Sequence, residues 1–299
     1  MRNRAGATDV LLTATVLIWA LNLTVTKYVL SHGFAPLAYS SIRYALAAAL
    51  FAGITVTVER SLAVHGRHAL RLIALASLLL WVNQISFVYS LKLTTATTTA
   101  IVLGTIPVFT ALFSYLAGVE RVSTRFWVAA LVSFGGVALV ALGSGGELSA
   151  DLGGVLLGLV TAVTWSAYSV TIAPLMRRYS PYRISAILLL AVWIWLFALG
   201  SKQVADEDFG SFGGLVWGGL VYSVLGPLVL TNVLWFTAIR RVGPARATLF
   251  TNLQPFAAAV FALLLLSEAI TSLQIAGGVA IACGILLARG RPTLAAPVE

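Results

Sequence analysis

Arg43 stands about two turns into an apolar run of this 299-residue chain, and no other placement so plainly demands a chemical reason. An arginine at the centre of a membrane helix costs roughly 2.5–3.5 kcal/mol on insertion scales. Tyr39 precedes it by one turn, on the same helix face. Two readings follow. In one, Arg43 faces an aqueous cavity and attracts a carboxylate, bidentately where access allows. In the other it snorkels to the outer interface or donates to backbone carbonyls.

The other polar candidates are neutral and accompany aromatics at helical spacing. Trp19 and Asn22 are three residues apart, as are Trp81 and Gln84, Trp165 and Tyr168, and Asn232 and Trp235. Each pair shares a face. Asn83 adjoins Gln84, and Asn252 and Gln254 lie just before Pro255. In hydrocarbon an amide must find a partner, so any one of these serves equally to join helices. Their accumulation argues for more: a cavity able to hydrogen-bond a zwitterion and stack on an apolar side chain. Such a cavity needs no fixed carboxylate, because cation–π contact and carbonyl oxygens also hold an ammonium group. Trp127, Trp193 and Trp195 have a competing explanation in the affinity of tryptophan for membrane interfaces.

The acids form a complementary pattern. Asp9, Glu59, Glu120, Glu147, Asp151, Asp206, Glu207, Asp208, Glu268 and Glu299 all fall at helix ends, in loops or in tails. A proton-coupled pump normally carries an intramembrane Asp, Glu or His, so facilitative movement is expected. No H-E-x-x-H or G-x-S-x-G signature occurs, and His32, His65 and His68 lie outside the apolar runs. An enzyme, a metal site and a cofactor are therefore not expected. Pro107, Pro227 and Pro255 fall inside apolar runs, where each removes a backbone donor; they are the candidate hinges or fixed kinks. The small-residue pairs Gly154/Gly158 and Gly214/Gly218 would permit close helix contact.

The elements that must hold these residues are membrane helices. The chain is 60% hydrophobic and 10% charged, against about 25% charged in soluble domains, which excludes a soluble globular enzyme. Apolar runs over 9–30, 36–57, 69–90, 95–117, 125–142, 152–174, 183–200, 212–237, 245–266 and 272–288 are each long enough to cross a bilayer. A β-barrel would alternate apolar and polar residues instead. Cys283 is the only cysteine and lies in the last run, which rules out a disulfide within the chain. The first run is too long, and too closely followed by others, for a signal peptide.

The net charge of +9 reflects topology, not nucleic acid. Fifteen of the nineteen basic residues, from Arg2 and Arg4 to Arg289 and Arg291, fall in alternate connections. By the positive-inside rule that side, with both termini, is cytoplasmic.

An offset of 148 residues aligns Pro107 with Pro255, Glu120 with Glu268, Gly136 with Gly284, Gln84 with Asn232 and Phe87 with Trp235. Near the start the offset is 146, pairing Trp19 with Trp165. Two five-helix units result, 1–145 and 146–299. Five is odd, so the second crosses the membrane in the opposite sense. The expected fold is an all-α membrane protein of ten transmembrane helices in two inverted repeats around a central cavity, working by alternating access.

Ten short-looped helices, the Trp19–Asn22 pair, Pro36 before Arg43 and the paired Pro–Glu intervals resemble the EamA-type carriers of the drug/metabolite transporter superfamily. Within it the chain looks like the YddG-type bacterial amino-acid exporters. That resemblance implies a helical basket in the inner membrane and export of aromatic and other apolar amino acids. It implies that helices 3, 4, 8 and 9 surround the centre, that 1, 2, 6 and 7 form movable flanks, and that 5 and 10 are peripheral. It also raises the weight of Gln84, Asn232 and Asn252. The expected partners are a small-molecule substrate, amino acids first, and the lipid bilayer, with the chain acting as a monomer. Two rivals remain: a phosphosugar or nucleotide-sugar exchanger, which would need several convergent Lys or Arg, and a non-transporting scaffold or receptor.

Overall fold

A bilayer offers backbone N–H and C=O groups no water, so long apolar runs satisfy them internally as helices. The computed structural model describes residues 2–93, 96–118, 123–143, 152–257, 260–261 and 272–287, and among them every regular element is helical. The helices are α1 (Arg2–Ser31), α2 (Pro36–Glu59), α3 (Arg67–Leu93), α4 (Ala96–Leu103), α5 (Ile106–Leu116) and α6 (Thr124–Gly143). After them come α7 (Leu152–Met176), α8 (Pro181–Ala205), α9 (Gly214–Val224), α10 (Thr231–Val242), α11 (Pro244–Leu249) and α12 (Ser272–Leu287). Among the described residues, six spans are long and apolar enough to cross a membrane: Ala7–Ser31, Pro36–Glu59, Arg67–Leu93, Gly153–Met176, Pro181–Ala205 and Gly214–Val242. Glu120, Glu147, Asp151 and Glu268 lie outside the described residues.

Three expected helices are interrupted, each at its proline. The run expected over 95–117 splits into α4 and α5. The Pro107 ring would clash with the carbonyl four residues back, so Pro107 takes an early position in α5, where no N–H is needed. It starts a helix; it does not bend one. The run over 245–266 opens as α11, tightens into a 3₁₀ turn at Phe250–Leu253, and resumes helically at 254–257, placing Pro255 at a fresh start. Only Pro227 remains inside one continuous span, within a π-helical turn at Leu225–Leu230 that joins α9 to α10.

Helices from the two halves pack against each other in antiparallel pairs. At one end of α2 and α8, Arg183 meets Glu59 at 3.0 Å, and Ser180 Oγ also donates to Glu59. At the other end the Ala35 and Leu37 N–H groups donate to Glu207 and Gln203, each at 2.9 Å. Those side chains satisfy the orphan donors that open α2, since Pro36 has none. The pair α3–α7 is fixed by Asn83 Nδ2 on Thr161 O and Ser90 Oγ on Gly154 O, both at 2.9 Å. Gly158 sits against Ser90 and Val102 as the small-residue pattern anticipates, but nothing approaches Gly214 or Gly218, so that second pattern marks no contact.

The α6–α12 pair carries the repeat in its contacts. A Cβ at Gly136 would lie 2.6 Å from Gly277 O and 2.9 Å from Ile281 N. One at Gly284 would overlap Ser133 Oγ and lie 2.7 Å from Ala129 O. Adding 148 to Gly136, Ala129 and Ser133 gives Gly284, Gly277 and Ile281, so each glycine meets the counterpart of the other's neighbours. Only glycine allows the two backbones to come this close.

Candidate functional site

Where α1, α2, α3, α7, α8 and the α9–α10 junction converge lies a cavity that gives about 100 Å³ to the centres of water-sized molecules. One water needs roughly 10–15 Å³ on that measure, so the space suits a small solute. Its wall includes Trp19, Asn22, Arg43, Asn83, Gln84, Trp165, Asn232 and Gln254 of the sequence candidates, and Pro227 of the candidate hinges. The expected helices 3, 4, 8 and 9 all reach the wall, for example through Gln84, Ile106, Asn232 and Gln254, but so do α1, α2, α7 and α8, so the centre is not confined to the former; no described residue of α6 or α12 lines it.

Much of the wall comes in repeat-related pairs. Leu80 and Leu228, Gln84 and Asn232, Leu103 and Thr251, and Ile106 and Gln254 are separated by the 148-residue offset, and Trp19 and Trp165 by 146. That offset was the available signal for Leu80, Leu103, Thr251 and Ile106, which polarity and aromaticity alone passed over. Tyr44 and Thr161 also line the cavity, and reasoning from sequence missed them.

Arg43 does not snorkel. It is 2% exposed, with its Cζ 4.8 Å from the centre of the Tyr39 ring. Its Nη2 donates to Ser223 O at 3.4 Å, while Nε and Nη1 are buried without a hydrogen-bond partner. Ser223 O is the carbonyl that the residue-227 N–H would satisfy in an α-helix, and Pro227 has no such group. A cation of the first half thus answers a carbonyl left by a proline of the second. A buried guanidinium with unpaired N–H groups is costly, and on a cavity wall it is ready to receive an anionic group.

The amides form a partly closed network. Asn83 Nδ2 is held by Thr161 O and by Thr164 Oγ1 at 3.4 Å, and Gln84 Nε2 donates to Asn83 Oδ1 at 3.3 Å. Gln84 Oε1 remains a buried acceptor without a partner. Asn232 Nδ2 turns back to Leu228 O at 2.6 Å, in the turn that Pro227 distorts. Asn22 Oδ1 accepts from Thr26, whose hydroxyl also meets Tyr39 Oη at 3.2 Å.

Three indoles meet beside these groups. Trp19 lies 5.2 Å from Trp165, edge to face, and 5.0 Å from Trp235. Trp19 Nε1 donates to Thr231 Oγ1 at 2.9 Å, and that hydroxyl donates to Pro227 O. Trp235 is fully buried behind the wall, as is Tyr168, which packs on Trp165 and Phe236. Tyr39 is likewise a support under Arg43 and not part of the wall.

Two candidates lie elsewhere. Trp81 packs edge to face on Trp195, which is 44% exposed, so its face points away from the cavity. Residues three apart are about 60° apart around a helix, which is enough to separate Trp81 from Gln84. Asn252 is fully buried in the 3₁₀ turn with neither amide atom bonded, and it does not line the cavity. Among the described residues, the wall holds no Asp, Glu or His, and no cluster suited to a metal occurs. Such a wall offers one cation, neutral amides and indole faces, which suits binding and release of a solute.

Residues 7–142 and 152–290 each match the family described as the EamA-like transporter family. An uncharacterized transporter of Archaeoglobus fulgidus is 23% identical over 93% of this chain and 97% of its own length. The uncharacterized inner membrane transporter YedA of Escherichia coli is 27% identical over 64% of this chain and 61% of its own. One crystal structure superposes with a TM-score of 0.77 over 95% of this chain and 96% of that one, at 18% identity. None of these names specifies an amino acid or an aromatic substrate.

Proposed function

Because the chain belongs to the EamA-like transporter family and is a multi-pass membrane transporter, we propose that its central cavity carries amino acids or similar small zwitterionic metabolites by alternating access. The observation that carries this reading is the wall itself, which brings Arg43, with Nε and Nη1 unpaired, into one cavity with Gln84, Asn22, Asn232, Trp19 and Trp165. A carboxylate fits the guanidinium, an α-ammonium fits neutral acceptors such as Gln84 Oε1, and an apolar side chain fits the indoles.

In this proposal the family's two matched segments are inverted five-helix units, ten crossings in all. The reciprocal Gly136 and Gly284 contacts and the repeat-related pairs in the wall support it. The carrier is a monomeric exporter of the YddG type in a bacterial inner membrane, with both termini cytoplasmic. The arginine distribution and the name of the inner membrane relative support that orientation and membrane. Movement is facilitative in this reading, supported by a wall in which no described residue is an Asp, Glu or His that could load a proton. A phosphosugar exchanger finds less support, since among the described residues Arg43 is the one cation lining the cavity. Counterflow of radiolabelled amino acids in proteoliposomes tests the proposal: saturable exchange supports it, and none across an aliphatic and aromatic panel refutes it.

A further inference from the structure

We propose that the cavity reads its substrate's carboxylate and not its ammonium group, so that the transported class is apolar, α-substituted monocarboxylates, of which amino acids are one member. The inference rests on reading this cavity as the transport site.

Arg43 brings a fixed positive charge to the wall, and its Nε and Nη1 are buried there without an acceptor, a need that a carboxylate moving against the guanidinium would meet. No carboxylate among the described residues balances it there. Among the described residues, Asp9 pairs with Arg246, Glu59 with Arg183, Glu207 receives the Ala35 N–H, Asp208 caps Gly210, and Asp206 is exposed. A bound monoanion therefore leaves the cavity neutral, whereas a zwitterion leaves it with the full charge of Arg43. The zwitterion must also give up the hydration of its ammonium near a like charge, in surroundings that screen less than water.

The group available to an α-substituent is Gln84 Oε1, buried and unpartnered. A neutral amide oxygen accepts from O–H as readily as from N–H, so a hydroxyl meets the same contact without the charge penalty. Trp19, Trp165, Leu23 and Phe87 supply the apolar surface for the rest of the molecule. An aromatic 2-hydroxy acid thus matches the wall at least as well as the amino acid of the same skeleton, and the amine without a carboxylate matches it poorly.

The test is counterflow of radiolabelled L-phenylalanine and L-3-phenyllactate by the full chain in proteoliposomes, competed with each other, with 3-phenylpropionate and with 2-phenylethylamine. Binding is read separately by quenching of tryptophan fluorescence. The expected result is that phenyllactate competes at least as well as phenylalanine, with phenylethylamine weaker by about tenfold or more. Arg43→Gln should abolish the preference for carboxylates, and Arg43→Lys, which keeps the charge, should retain part of it. The compound series on the unmodified chain decides even where Arg43→Gln fails to fold. Phenylalanine stronger than phenyllactate by about tenfold overturns the inference and leaves amino-acid transport standing, and so does the amine in first place. Binding of none of the four overturns the transport-site reading beneath it.

Discussion

Gly284→Ala is the substitution whose cost can be worked most directly from the packing. The new Cβ would overlap Ser133 Oγ and lie 2.7 Å from Ala129 O and 3.0 Å from Ser133 N, where ordinary contact begins at 3.4 Å. The hydroxyl can rotate away, but the backbone atoms cannot, so α6 and α12 must part by several tenths of an ångström. Overpacking of this kind costs about 1–3 kcal/mol. At about 2–4 °C per kcal/mol for chains approaching this size, thermal unfolding in detergent should shift down by roughly 2–12 °C. Gly136→Ala, facing Gly277 O at 2.6 Å, should cost about as much. Adding Ser133→Ala should recover part of the Gly284→Ala loss and none of the Gly136→Ala loss, because Gly136 meets Gly277 and Ile281 instead. Gly218→Ala, with nothing within 4 Å, is the control. An unchanged transition for Gly284→Ala, or equal rescue of both variants by Ser133→Ala, would refute the reciprocal packing.

Trp81→Ala should leave transport kinetics unchanged while Trp165→Ala raises the half-saturating concentration, because only Trp165 lines the cavity. Glu59→Gln removes the charge that pairs with Arg183 and replaces one of the two oxygens that accept from Arg183 and Ser180 with a donor, at the half-buried end of α2; a loss of about 1–2 kcal/mol should appear in the same melting assay, with binding affinity retained. Pro227→Ala offers Ser223 O a helical donor in competition with Arg43, so turnover should fall several-fold with binding little changed, as read by counterflow against fluorescence. An imposed pH gradient should not accelerate exchange of a zwitterion; an absolute requirement for one would contradict the facilitative reading.

The existence of the helices was legible because hydrophobic runs in a bilayer leave the backbone no alternative. Their interruptions were less so: Pro107, Pro227 and Pro255 look alike in sequence, yet one starts a helix, one sits in a π turn and one follows a 3₁₀ turn. Neighbours decide which, and spacing does not record neighbours. Arg43 was legible as an anomaly with two explanations. Burial against Tyr39 removes snorkelling, while the bond from Nη2 to the Ser223 carbonyl is the backbone contact that the second explanation also named, so Arg43 both lines the cavity and ties two helices. Trp81 shows the limit of shared-face reasoning, since a face can be common to two residues without being the inward one. The most productive signal was the internal repeat, whose offset relates opposed pairs such as Gln84 and Asn232. Asn252, buried with both amide atoms unbonded, has no physical account in this arrangement.

The central claim is that one wet chamber between the two halves binds the solute and opens to each side in turn. Cys283 is exposed on α12 and can be replaced by serine, leaving a single cysteine introduced at Thr251 in the chamber wall. Its modification by a membrane-impermeant thiol reagent should then be measured from each face of sealed vesicles, with and without a transported substrate. The account predicts reaction from both faces and protection by substrate. Reaction from one face only, at a rate indifferent to substrate, would contradict it.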